Sequence, residues 1–262
     1  MALSNSELAE LRQAKRILEH PGLAARLAAI AGSPLEKGMK LLPSGWRDKV
    51  HEATQAALTK ALDVAVSSLG KTRVRPSRDR LHKIAAAASG AVGGAFGLPA
   101  LALELPVSTT LMLRSIADIA AAHGEDPSDT ETRLACLTVF ALGSTRDTSD
   151  DAAESGYFAA RSALAAAVTE ATKHLAQKGF AKSGAPALVR LVALIAARFG
   201  IVVTEKAAAQ AIPIIGAAGG ALINTVFIDH YQDMARGHFT VRRLERLHGA
   251  DTVRAAYEGA AP

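Results

Sequence analysis

Apolar residues recur along most of this chain at helical spacing. Ala53, Ala57, Leu58, Ala61, Leu62, Ala65 and Leu69 form one stripe at intervals of three and four, which predicts a long helix from about Gly45 to Leu69. Ser4-Asn-Ser-Glu7 has the form of a capping box and opens a helix to about Glu19, stopped by Pro21-Gly22. Ser128-Asp-Thr-Glu131 repeats that form after Asp126-Pro127 and starts a helix through Leu142. Thr148, followed by Asp150 and Asp151 where the helix dipole favours anions, predicts another to about Gln177. Residues 186–203 form an apolar helix carrying Arg190 and Arg198, and 238–248 and 251–258 are expected as short basic closing helices. No alternation of apolar and polar residues is long enough to require a strand. The expectation is an all-α fold, a single multi-helix bundle over residues 1–262.

Composition strengthens that expectation. Alanine supplies 56 of the 262 residues, and aromatics only 4%, so helix is favoured nearly everywhere. A hydrophobic content of 49% is too high for a disordered chain. The lone Cys136 excludes a disulfide framework and a Cys-rich zinc module, and its place between Ala135 and Leu137 suits a core thiol in a reducing compartment. Glu7 and Glu10 stand where a signal peptide needs its apolar stretch, and Arg12, Lys15 and Arg16 follow, so a cytoplasmic location is expected.

The distribution of charge changes the picture more than its net value of +5. Residues 1–83 hold 15 basic and 8 acidic side chains. Lys71, Arg73, Arg75, Arg78, Arg80 and Lys83 face only Asp79. Directly after this run, residues 84–103 carry no formal charge, and neither do residues 207–228. Both stretches share a glycine signature, Gly90-Ala-Val-Gly-Gly94 and Gly216-Ala-Ala-Gly-Gly220, and are expected as two central Gly/Ala-rich apolar helical hairpins. Three readings stand. Twenty residues at about 1.5 Å each match a bilayer core, so two spans are possible on length, although Ala, Gly, Ser and Pro dominate the first stretch. Alternatively, Gly216, Gly220 and Asn224 make a groove for close packing in a soluble bundle. The third reading is a hairpin that dips into one leaflet or holds lipid. The adjacent arginines favour it, since each basic residue near an anionic surface contributes about 1 kcal/mol; a solvated linker is the plainer account of the same run.

Candidate chemistry is sparse. Asp150, Glu154, Tyr157 and Arg161 fall on one helix face and suit either a polar headgroup or an interhelical hydrogen-bond seam. Glu104 is the only charge between Lys83 and Arg114, and Pro106 frees the carbonyl of Ala102 if the helix continues through it. Such a carboxylate would serve as a general acid, pair with Lys206 at the border of the other uncharged stretch, or simply face water. Asp229, His230 and Asp233 make a poor metal site, because His230 lies about 100° round the helix from Asp229. No nucleophile elbow, phosphate loop or dinucleotide fingerprint occurs. Aromatics are rare beside the basic run, so nucleic acid is not an expected partner despite a pI near 9.5.

The segments Gly97-Leu-Pro-Ala-Leu-Ala-Leu-Glu-Leu-Pro-Val107, Leu113-Arg-Ser-Ile-Ala-Asp-Ile-Ala120, Asp150-Asp-Ala-Ala-Glu-Ser-Gly-Tyr157, Ile212-Pro-Ile-Ile-Gly-Ala-Ala-Gly-Gly-Ala-Leu-Ile-Asn224 and Phe227-Ile-Asp-His230 resemble the EcsC protein family. The resemblance runs over about residues 40–250, leaving 1–40 as an N-terminal helical extension. It implies a bacterial, mainly helical protein with a membrane connection, in a family named for a component encoded beside an ABC-type exporter, and supplies no catalytic residues. The functional expectation is a cytoplasmic protein peripherally associated with the inner membrane, with an accessory role to a transporter as one form of it. It binds lipid or a membrane-protein partner through Arg73, Arg75, Arg78, Arg80, Glu104, Asp150, Glu154, Tyr157, Lys206, Gly216, Gly220 and Asn224, with no cofactor or metal. The alternatives are an enzyme on a lipid-like substrate using Glu104 or the Asp150/Glu154 face, and an integral protein with two spans.

Overall fold

The computed structural model describes residues 3–20, 22–68, 101–143, 156–179, 184–212 and 217–260. Among these residues there are ten helices and no strand, as the periodicity requires. They are α1 (Asn5–Glu19), α2 (Leu23–Ala31), α3 (Leu35–Leu41), α4 (Trp46–Ser68), α5 (Leu101–Ala122), α6 (Thr130–Leu142), α7 (Gly156–Lys178), α8 (Pro186–Gln210), α9 (Ala217–His248) and α10 (Ala250–Gly259). Arg73, Arg75, Arg78, Arg80, Asp150, Glu154, Gly216 and the Gly90–Gly94 notch lie outside the described residues.

The helix ends follow local chemistry. Ser4 caps α1, accepting from the Glu7 amide while Glu7 accepts from the Ser4 amide, the reciprocal pair expected from the sequence. The α6 cap differs from expectation. Asp129, not Ser128, is the N-cap and accepts from the Thr132 amide at 3.0 Å. Ser128 instead donates its amide to Asp126 Oδ1 at 2.8 Å, so its backbone is used in the preceding turn.

Two further expectations are corrected. The apolar helix predicted to end at 203 continues to Gln210, because Ala207, Ala208 and Ala209 favour helix and are completely buried. The uncharged stretch 207–228 is therefore divided between the end of α8 and the start of α9, and makes no single helix of span length. At the other end, 238–248 is not a separate helix but the last third of α9, whose 32 residues run unbroken through Gly237. Gly237 is tolerated there because α1 lies against it: an added Cβ would meet Leu18 Cγ at 2.9 Å.

α8 and α9 form the centre. α8 packs on α2, α3, α4, α6, α7 and α9, and α9 packs on α1, α2, α5, α6 and α10. Where they cross α6, Phe140, Phe199, Phe227 and Tyr231 form an aromatic cluster with ring centroids 5.0–6.1 Å apart. Edge-to-face pairs in such a cluster each add about 0.5–1.5 kcal/mol beyond the area they bury. The predicted stripe of α4 is the one that packs, with Ala57, Leu58, Ala61, Leu62 and Ala65 all buried. Cys136 is buried in the same core, which pushes its thiol pKa up to about 12. Among the described glycines the closest approach is at one the periodicity does not single out. A Cβ on Gly38 would stand 2.0 Å from the carbonyl oxygen of Ala208, so α3 lies with its backbone directly on α8.

Candidate functional site

Two polar constellations occupy the bundle, separated along α9. The first joins α5 to α8. α5 continues through Pro106, and Glu104 in its first turn faces the bundle. Lys206, on the last turns of α8, is fully buried and donates to Glu104 Oε1 at 2.6 Å. Its ammonium also sits 4.8 Å from the centre of the Phe227 ring on α9, a cation–π contact in a dry setting. Burial drives the Lys206 pKa down, and the charge and hydrogen bond of Glu104 oppose that shift. Glu104 Oε2 is buried and has no hydrogen-bond partner among the described residues. Asn224 and Gly220, both buried, lie on the first turns of α9 at this end.

Several large apolar side chains close to this pair in sequence are exposed. Leu103, adjacent to Glu104, is 81% exposed, and Val107 one turn later is 52% exposed. Ile201 on α8 and Leu222 on α9, each five residues before a member of the Lys206–Phe227 contact, are also exposed. Leu101, the first residue of α5, directly follows residues 69–100 and their basic run in sequence.

The second constellation lies about 16 Å further along α9, the distance from Phe227 to His238 at 1.5 Å per residue. Tyr157 and Arg161, one turn apart on α7, meet His238 and Glu245 on α9. The Tyr157 hydroxyl and His238 Nδ1 are 2.9 Å apart, Arg161 donates to the Tyr157 oxygen at 3.2 Å, and its two terminal nitrogens bind Glu245 at 2.8 and 3.1 Å. Burial holds the Tyr157 hydroxyl neutral, against the pull of Arg161. It also drives the His238 pKa well down, with Arg161 and Arg242 acting in the same direction. The Tyr157 amide and the Tyr257 hydroxyl both donate to Glu19 Oε1, tying α7 and α10 to α1. Tyr157 and Arg161 thus stand in an interhelical seam, one of the two roles the spacing allowed.

Sequence reasoning missed the seam's partners, His238, Glu245 and Glu19. A signal existed for two of them: His238, Arg242 and Glu245 fall at i, i+4 and i+7, one face of α9 matching the Tyr157/Arg161 face of α7. Arg242 and Arg246 converge on Glu125, whose pKa is lowered; its burial acts the other way and is outweighed by these charges.

Asp229, His230 and Asp233 diverge. Asp229 faces Arg26 at 3.5 Å, Asp233 pairs with Arg236 at 2.7 Å, and His230 Nε2 donates to the Gly143 carbonyl at 3.1 Å. Among the described residues no three His, Cys, Asp or Glu side chains are placed to hold a metal ion. One described helix, Pro186–Gln210, is long and apolar enough to cross a bilayer, with a mean hydropathy of 2.1, and half of that window is buried inside the bundle.

A helical bundle that carries, among the described residues, the buried Glu104–Lys206 pair and the polar seam of α7 and α9 defines a class by architecture rather than by chemistry. The chain belongs to the EcsC protein family, which it matches over residues 5–244, from α1 through most of α9. No curated protein and no solved structure matches it significantly.

Proposed function

We propose that this protein is a cytoplasmic, peripherally membrane-associated member of its family that binds anionic lipid, or a membrane protein such as a transporter, at the Glu104–Lys206 end of the bundle. The observation that carries this reading is the exposure of Leu103 and Val107, which follow the basic run and its uncharged stretch in sequence. Exposed leucine and valine beside a polybasic segment offer two attractions at once. Arginines 73, 75, 78 and 80 draw the chain to an anionic surface at about 1 kcal/mol each, and apolar side chains then enter the headgroup boundary. Each attraction alone is marginal, and together they give reversible binding that weakens as salt screens the charges. Glu104 and Lys206 neutralise one another at this end, which keeps a charged residue compatible with an apolar surface.

Vesicle flotation of the purified chain tests the proposal. The chain is expected to float with vesicles containing phosphatidylglycerol at low salt and to be released at high salt. Failure to float with anionic vesicles at low salt overturns the reading, and resistance to carbonate extraction from membranes replaces it with the spanning one.

A further inference from the structure

The outward face of α8 carries apolar side chains that no described helix covers. Ala193, Leu194, Ala197 and Ile201 are exposed there, Leu194 by 37% and Ile201 by 47%, and Gly200 is half-buried among them. At about 100° per residue all five fall within about 60° of Ala197 round the helix, so they make one strip. Packing inside the chain does not call for the glycine. A Cβ added at Gly200 would meet no neighbour within 4 Å. Glycine is disfavoured against alanine in an exposed helix interior, so within a single chain nothing offsets its presence.

Two charges of opposite sign bound the strip. Arg190 stands 15 residues before Glu205, about 22 Å along the axis. Round the helix, Arg190, Leu194, Ile201 and Glu205 lie to one side of Ala197, and Ala193 and Gly200 lie to the other. Arg190 meets Glu170 on α7 at 3.6 Å, but its side chain is 68% exposed, which leaves guanidinium donors facing outward. The strip is self-complementary. From Ala197 toward either end, its larger side presents one big aliphatic residue and then one charge, a cation at one end and an anion at the other.

We infer that two copies of this chain associate about a twofold axis at Ala197, through antiparallel pairing of the outward faces of α8. Leu194 then lies against the partner's Ile201, Ala193 against the partner's Gly200, and Arg190 pairs with the partner's Glu205 at both ends of the seam. Gly200 gains a role, because a small residue lets two helix backbones approach closely. Arg198 stands at the rim, about 100° round from Ala197, and stays in water. An anionic bilayer is the poorer match for this face, since Glu170 and Glu205 accompany its arginines. The association does not rest on the membrane-facing end, so a chain that fails to float on vesicles can still dimerise, and the reverse.

Sedimentation equilibrium of the full chain without vesicles, from micromolar to submillimolar concentration, tests the inference. A single helix pair is at the small end of stable interfaces, so a reversible dimer of the 27.2 kDa chain is expected within that range. Ala197→Glu sets two carboxylates at the axis, and Gly200→Leu fills the close approach. Each should weaken the dimer by about tenfold or more. Neither position packs inside the chain, so thermal unfolding of the monomer should be unchanged or raised. Arg190→Glu should weaken the dimer, and adding Glu205→Arg should restore it. On oxidation Ala197→Cys should give a covalent dimer, and Lys178→Cys, at the far end of α7, should not; Cys136 is buried and does not compete. A monomer throughout that range, or a dimer left intact by both Ala197→Glu and Gly200→Leu, overturns the inference. A monomeric chain whose flotation is lost in Ala197→Glu overturns it in favour of the bilayer as occupant of this face.

Discussion

Lys206 Nζ lies 2.6 Å from Glu104 Oε1 with both side chains removed from water, so each charge is tolerated only because of the other. Removing one partner of such a pair costs about 3–5 kcal/mol, whereas replacing both with apolar groups of similar volume is often neutral. Lys206→Met should therefore lower the unfolding free energy by about that amount, and Glu104→Leu with Lys206→Met should recover most of it. Urea denaturation of the two variants checks this. A double variant no more stable than the single one would show that the pair is not what makes the lysine costly.

Acid should weaken the fold through its buried histidines before it reaches most carboxylates. His230 has its pKa lowered from 6.5 to about 4 by burial, with its bond to Gly143 acting the other way and Arg26 adding to the burial. The unfolded chain then binds protons that the folded one refuses. The contribution is fully present above about pH 6.5 and is lost as pH falls toward 4, on the order of 3 kcal/mol for His230. His238, driven well below its ordinary value, extends the loss in the same direction to lower pH. Unfolding free energy measured from pH 7.5 down to 5 should fall steadily, and His230→Asn should flatten that slope.

The Gly38 contact is backbone on backbone, so a methyl there cannot be absorbed by a rotamer change. Gly38→Ala should force α3 away from α8 and cost about 1–3 kcal/mol. Gly237→Ala meets the Leu18 side chain, which can shift, and should cost less. Thermal unfolding of the two variants compares them directly, and equal losses would contradict the distinction.

Leu103 and Val107 are too exposed to contribute to the core. Leu103→Asp combined with Val107→Asp should leave the unfolding free energy within about 0.5 kcal/mol. Flotation with anionic vesicles should be strongly reduced in the same variant. Unchanged flotation would remove these residues from the proposed membrane surface.

Local signals were readable wherever one helix decides the outcome: the Ser4–Glu7 cap, the α4 stripe, and the end of α6 at Leu142. They failed where a neighbour decides. Gly237 is a helix breaker by propensity, yet α9 runs through it because α1 fills the space alongside. Likewise, the end of α8 depended on the burial of Ala207–Ala209 beneath α3, which no pattern within α8 states. The site was legible in the same measure. The Glu104–Lys206 pairing was suggested by two isolated charges bordering uncharged stretches, and the Tyr157–Arg161 face by its spacing. Which residues meet that face depended on how α7 lies across α9, a tertiary fact outside any one helix. The short helices α2 and α3 carry too few residues to show a period of their own.

α1 has its packing partners in α7, α9 and α10, all after residue 155. Its polar ties are equally distant: Lys15 donates to the carbonyls of Tyr257 and Ala260 at the end of α10, Glu7 meets His248, and Glu10 pairs with Arg243. Of the ten described helices, the one that leaves the ribosome first therefore waits longest for its surroundings. Closing so long a loop slows folding more than it costs stability. During synthesis Leu11, Ala14 and Leu18 of α1 therefore wait for α9 to supply most of the cover seen among the described residues. Seating α1 thus joins the first described helix to the last two, a pairing of high sequence separation.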